Sequence, residues 1–139
     1  MRVRKLGFAL LLGSCLSVYA SAACSNATLI GNYGFTITGV DSSGSLSASV
    51  GQITADGSGN ITGVFTNSTA GVITSNIPET GTYSVKTTCA GTATLTPSGG
   101  TATTFSLVLV SNGAQVEMIE TKAGSSQYGY ALALSLIHI

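Results

Sequence analysis

Apolar and polar residues alternate along much of the chain between residues 29 and 132, and this is the period of half-buried β-strands. Gly-, Asn- and Asp-rich turns separate the alternating runs, as in DGSGN at 56–60 and NG at 112–113. After residue 22 no run shows the 3.6-residue period of a helix. The pattern therefore predicts eight or nine short strands joined by hairpin-length turns.

The clearest hairpin is residues 51–66, and residues 81–96 align with it without gaps. Before Gly51 the alternation places Leu46, Ala48 and Val50 on one face, and after it the phase shifts to Ile53 and Ala55. This shift predicts a β-bulge at Gly51. Residues 77–81 (IPETG) are predicted to form a loop around Pro78.

Short connections between consecutive strands favour an all-β, antiparallel up-and-down meander. The first and last strands of a meander would be unpaired edge strands, and closure into a small barrel is the simplest way to pair them. A two-sheet sandwich is the alternative, although sandwiches usually need a longer Greek-key connection. One β domain over residues 23–133 is expected.

Residues 1–22 have the order of a signal peptide: a basic start, an apolar core and small residues at 20–22. Cleavage there predicts a secreted or periplasmic protein with no integral membrane span. An alternative is a lipoprotein anchored at Cys15, because residues 12–15 (LGSC) resemble a lipobox. Cys24 and Cys89 would remain after cleavage, and an even pair in an exported chain predicts a disulfide.

The last six residues, 134–139 (LSLIHI), resemble the translation of a sequencing adaptor, the mosaic end of a transposase. If they derive from it, the natural C-terminus is truncated and His138 belongs to no mechanism. His138 is the single histidine of the chain.

Charge and motifs exclude several classes of function. After residue 22 the chain has two lysines and five carboxylates, which give a net charge of −3. Two lysines cannot form the basic patch that nucleic acids require. We expect no enzyme, because no catalytic set of nucleophile and base can be assembled. We expect no metal or cofactor either. Residues 56–60 resemble the start of a calcium loop, but Ile61 and Asn67 stand where an EF-hand needs Gly and Glu.

Most aromatic side chains fall on the phase predicted to face inward. Core packing is the simpler interpretation. The alternative is that some of them line a barrel cavity for a small apolar ligand. The candidates are Tyr33, Phe35, Phe65, Tyr83, Phe105, Tyr128 and Tyr130.

Four stretches carry a resemblance: Cys24 with residues 29–35, residues 55–63 (ADGSGNITG), residues 81–85 and residues 89–95. Together they resemble a group of small, exported, β-rich proteins of soil bacteria with no known activity. The resemblance implies export and a β fold. Two functions are therefore considered: a non-enzymatic barrel that binds a small ligand, and a structural or adhesive envelope protein that associates through a strand edge.

Overall fold

The computed structural model describes residues 23–135. The predicted signal peptide, Cys15 and His138 lie outside this part of the chain. A short 3₁₀ helix at Asn26–Thr28 precedes eight strands. The strands are β1 Ile30–Val40, β2 Leu46–Asp56, β3 Asn60–Thr69, β4 Val72–Val85, β5 Ala90–Pro97, β6 Thr103–Val110, β7 Gln115–Glu120 and β8 Tyr128–Ala133.

The eight strands form a closed antiparallel barrel. Each strand pairs with the next one in sequence, and β8 returns to pair with β1, with Thr36 opposite Tyr130. The predicted meander barrel is thus confirmed, and the sandwich is not formed. In the part of the chain that the structure describes, no helix is long and apolar enough to cross a membrane.

The turn between β2 and β3 is built around one carboxylate. Asp56 Oδ1 accepts hydrogen bonds from the backbone N–H of Ser58 at 2.7 Å and of Asn60 at 3.0 Å. Asp56 Oδ2 accepts a third from the Asn60 side chain. These bonds, the Asn60 side chain first, lower the pKa of Asp56 to about 2. The carboxylate therefore serves the turn, as the DGSGN pattern predicts.

Strand β2 is regular, and the bulge predicted at Gly51 is wrong. Its register to both neighbours is continuous, so the inward phase of Ile53 runs back through Gly51 to Ser49 and Ser47. Leu46 and Val50 lie outside, 74% and 59% exposed. The interior of this half of β2 is consequently polar instead of apolar.

The predicted loop at residues 77–81 is also wrong, because these residues belong to the 14-residue strand β4. The irregularity of the sheet lies between β3 and β4, where Phe65 faces Ile77 but Asn67 faces Thr74. Asn76 has a left-handed φ of 55° at this point. Counting back by twos from buried Tyr83 places Glu79 inside the barrel.

The two ends of the barrel differ. One end is packed with apolar side chains and covered by residues 24–29, which the predicted Cys24–Cys89 disulfide, confirmed here, fastens to the β4–β5 turn. We call it the closed end. The connections β1–β2, β3–β4, β5–β6 and β7–β8 lie at the other end, which we call the open end.

Candidate functional site

A cavity of about 320 Å³ lies inside the barrel at its open end, and we call it the polar cavity. Seven of the eight strands supply its walls, and three connections supply its rim. Its lining comprises Phe35, Ile37, Asp41, Ser47, Ser49, Phe65, Asn67, Thr69, Glu79, Leu95, Pro97, Thr101, Thr103, Phe105, Glu120 and Gln127. The volume is at the lower end of the range of about 300–1,000 Å³ typical of small-molecule sites.

Three phenylalanines, together with Ile37, Leu95 and Pro97, form the apolar side of the cavity. Phe35 and Phe65 are both in register with Gly51, which lies between them on β2, and their ring centroids are 6.5 Å apart. A Cβ at Gly51 would come within 2.5 Å of the Val64 carbonyl oxygen and 2.6 Å of Phe65 Cβ. Glycine is needed there for close packing, which explains the residue that sequence analysis had interpreted as a bulge.

A cluster of neutral polar side chains forms the wall on β2 and β3. The hydroxyls of Ser47 and Ser49 donate to Asn67 Oδ1 at 3.3 and 3.4 Å, and Asn67 Nδ2 donates to Thr69 Oγ1 at 3.1 Å. These residues face inward because β2 is regular. They give the cavity hydrogen-bonding groups beside its phenylalanines.

Glu79 is one of two buried acids that line this cavity. It is 5% exposed, and of the buried polar side-chain atoms in the described residues its Oε1 is the one without a hydrogen-bond partner. Burial raises its pKa from 4.5 to about 7. Unpaired buried carboxyls are rare because their charged form is costly, so Glu79 marks the cavity as more than a packing gap.

The other two carboxyls of the cavity already have partners. Glu120 is 8% exposed and accepts a hydrogen bond from the Ser125 hydroxyl. Asp41 sits in the β1–β2 turn, where hydrogen bonds from the Ser43 hydroxyl and from the backbone of Ser43 and Ser45 lower its pKa. Among residues 23–135 no lysine or arginine lines the cavity, so its electrostatic character is acidic.

Of the seven aromatic residues predicted to line a cavity, Phe35, Phe65 and Phe105 do so. Tyr33 and Tyr83 are inside the barrel but at the closed end. The Tyr33 hydroxyl donates to the Gly113 carbonyl at 2.9 Å, and the Tyr83 hydroxyl donates to the Leu29 carbonyl at 2.6 Å. These two tyrosines fasten the closed end and do not touch the polar cavity.

The inward placement of Tyr128 and Tyr130 is wrong. Both lie on the outer face of β8, 63% and 45% exposed. The inner face of β8 carries Gly129 and Ala131 instead, because a Cβ at Gly129 would meet the Thr36 carbonyl oxygen of β1. The close approach of β1 therefore requires glycine at position 129.

Sequence analysis missed the polar residues of the site, Ser47, Ser49, Asn67, Glu79 and Glu120 among them. The strand alternation could have found them, because every second residue of a strand lies on the same face. Counting back by twos from Ile53 reaches both serines, and counting back from Tyr83 reaches Glu79. Glu117 and Glu120 lie three residues apart on β7 and therefore point to opposite faces, Glu117 exposed and Glu120 buried. In residues 23–135 no three His, Cys, Asp or Glu side chains cluster as metal ligands would.

No protein-family model and no curated protein matches this chain. Among solved structures, a redesigned β-barrel, mFAP1, described as bound to DFHBI, matches with a TM-score of 0.53 and 19% sequence identity. The match covers 77% of this chain and 96% of that one. The comparison establishes similarity of fold: this chain has the architecture of a small β-barrel.

Proposed function

We propose that the protein is an exported, non-enzymatic β-barrel that binds one small ligand in the polar cavity. The observation that carries the proposal is the cavity itself, about 320 Å³ of interior space with a phenylalanine floor at the open end of a closed barrel. Eight-stranded barrels are just wide enough either to fill with side chains or to hold one small ligand. Here the closed end is filled and the open end is not.

The lining favours a ligand with an apolar body and polar groups at one side. Phe35, Phe65 and Phe105 offer ring faces and edges to an apolar or aromatic group. Ser49 and Asn67, beside these rings on β2 and β3, can exchange hydrogen bonds with polar substituents. The redesigned barrel mFAP1 is described as bound to DFHBI, and this supports the view that a barrel of this fold can hold a ligand.

Export is part of the proposal. The Cys24–Cys89 disulfide indicates an oxidising compartment outside the cytoplasm. Together with the predicted signal peptide at residues 1–22, it supports secretion or the periplasm. A binding protein without catalytic groups would suit ligand capture or transport there.

Native mass spectrometry of protein purified from its own host tests the binding. The wild-type protein should carry a bound small molecule, and the Ser49→Leu variant, which fills the cavity, should lose it. Ala48→Leu adds the same side chain to the exposed outer face of the same strand and should retain the ligand. Equal occupancy in Ser49→Leu and wild type would place any bound molecule elsewhere.

A second function, association through a strand edge, has one observation in its favour. The pairing of β4 with β5 begins at Glu79, so the first half of β4 has no β5 partner in the barrel. Val72 and Ile73, at the tip of the β3–β4 hairpin, are each 69% exposed. Strand addition at this hairpin would give dimers. The double variant Val72→Lys/Ile73→Lys places two charges at the hairpin tip and should abolish the dimers, which analytical ultracentrifugation would measure.

A further inference from the structure

The register of the sheet leaves Glu79 without a partner. Its cross-strand neighbours are Gly63 on β3 and Pro97 on β5. Neither neighbour has a side-chain donor, and Pro97 also lacks a backbone N–H. Glu79 lines the polar cavity and is only 5% exposed, so the group that satisfies Oε1 must enter through the cavity.

The charges around the cavity indicate whether the group that enters it is positively or negatively charged. The carboxyls that share the cavity with Glu79 are Asp41, from the β1–β2 turn, and Glu120, from β7. Both have hydrogen-bond donors of their own. Lys86 lies in the β4–β5 turn at the closed end. Lys122 is exposed on the β7–β8 connection at the open end, where its charge contributes slightly to the lowered pKa of Asp41, so three cavity carboxyls face one lysine outside the lining. The field inside the cavity therefore attracts a cation and repels an anion.

We propose that the ligand is a small organic cation, an amine on an aromatic or apolar body, whose ammonium group donates to the Glu79 carboxylate while its body packs on the phenylalanines. The proposal rests on the proposed function and specifies its ligand. An ammonium group supplies up to three donors to a carboxylate that has none, and the buried setting makes the pair strong.

Binding of this kind is linked to one proton. With a pKa of about 7, free Glu79 is mostly protonated at pH 6. A cationic amine pairs with the carboxylate form, so binding at pH 6 releases the carboxyl proton to the buffer while the amine keeps its own. Close to one proton per ligand should be released at pH 6 and far less at pH 8.5, where Glu79 is already ionised.

Three probes with the same indole body separate charge from shape: tryptamine, the neutral alcohol tryptophol and the anion indole-3-propionate. The chain has no tryptophan, so indole emission reports the probe alone. At pH 8 tryptamine should bind at least about tenfold more tightly than tryptophol, and indole-3-propionate more weakly than either. From pH 8 to pH 6 the affinity for tryptamine should fall about tenfold, and that for tryptophol should not change.

Glu79→Gln removes the charge and retains the size of the side chain. This variant should lose most of the preference for tryptamine over tryptophol and release no proton in calorimetry at pH 6. Glu117→Gln makes the same change on the exposed face of β7 and should behave as wild type. Because Glu79→Gln removes a buried unpaired acid, it is expected to fold at least as well as wild type.

Equal affinity for tryptamine and tryptophol in wild type, or an unchanged preference in Glu79→Gln, would overturn the inference and leave the proposed function intact. If none of the probes binds, the inference is again overturned. The native mass spectrum of host-purified protein then decides the proposed function. A molecule lost in Ser49→Leu would sustain it, and the absence of any such molecule would end it.

Discussion

Glu79 controls how the stability of the fold depends on pH. Its pKa rises from 4.5 to about 7 on folding, so the folded protein holds this proton more tightly than the unfolded chain does. Stabilisation from the protonated carboxyl is fully present below pH 4.5 and is lost as the pH rises to about 7. Asp56, with a pKa lowered to about 2, acts in the opposite direction and only in strong acid.

Glu79→Gln should therefore stabilise the protein at pH 8 and leave its stability unchanged at pH 4. The shift corresponds to a gain of at most about 3 kcal/mol, and water entering the open end reduces it. Urea unfolding followed by circular dichroism at both pH values measures the difference. Glu117→Gln, on the outer face, should show neither effect, and a Glu79→Gln variant that matches wild type at pH 8 would contradict the burial of an unpaired acid.

At the scale of the strands, alternation predicted the number of elements but not always their faces. Phe35 on β1, Leu95 on β5 and Phe105 on β6 point inward, as the alternation predicts. Leu46 and Val50 on the first half of β2 point outward, as do both tyrosines of β8, whereas Ile53 on the second half of β2 is buried. Hydrophobicity alone could not reveal this, because the inner face is polar along the first half of β2 and the backbone of β1 leaves no room for a side chain at Gly129 of β8.

The polar cavity was hidden from sequence analysis for the same reason. Leu46 and Val50 are apolar, so alternation assigns them to the inner face of β2 and assigns the serines between them to the outer face, the reverse of what the structure shows. Glu79 was hidden because Pro78 suggests a loop, whereas the structure places that proline within β4 opposite Val64. The turns were easier, since DGSGN and NG predict their own geometry from local chemistry.

The closed end depends on hydrogen bonds that join distant elements. Tyr33→Phe removes the hydroxyl that donates to the carbonyl of Gly113 in the β6–β7 turn. The buried carbonyl is then left without its hydrogen bond from Tyr33. We expect a loss of about 1–2 kcal/mol in the free energy of unfolding. Urea titration should show it, while Tyr130→Phe, on the exposed face of β8, should change stability by less than about 0.5 kcal/mol.

A loss in Tyr130→Phe as large as that in Tyr33→Phe would contradict the placement of these two rings. Affinity for a cavity ligand is a second readout. It should be unchanged in both variants, because neither tyrosine lines the polar cavity.

The whole molecule separates its stabilising contacts from the polar cavity along the axis of the barrel. The disulfide, the buried tyrosine hydroxyls and most of the apolar core lie toward the closed end, whereas the acids and neutral polar groups line the open end. The sequence allowed the barrel and the disulfide to be predicted. It did not reveal this division. The division depends on where, along the inner face of each strand, apolar side chains give way to polar ones.

Removal of the disulfide should weaken the fold without weakening binding. Cys24 and Cys89 are 65 residues apart, and a loop of that length corresponds to about 4 kcal/mol by the chain-entropy model. The Cys24→Ala/Cys89→Ala protein should unfold at lower urea concentration but bind cavity ligands within about twofold of wild type, since the bond lies at the opposite end. A reducing agent should destabilise wild type and have no effect on the double variant.

The location of the bound ligand is the central claim, and phenylalanine-selective NMR tests it most directly. Every phenylalanine after residue 22, namely Phe35, Phe65 and Phe105, lines the polar cavity. On titration with tryptamine, and with tryptophol as the uncharged probe, all three ring signals should shift while those of exposed Tyr128 and Tyr130 stay in place. Shifts confined to the two tyrosines, with the phenylalanine signals unmoved, would show that the barrel binds these molecules on its outer surface and would contradict binding in the polar cavity.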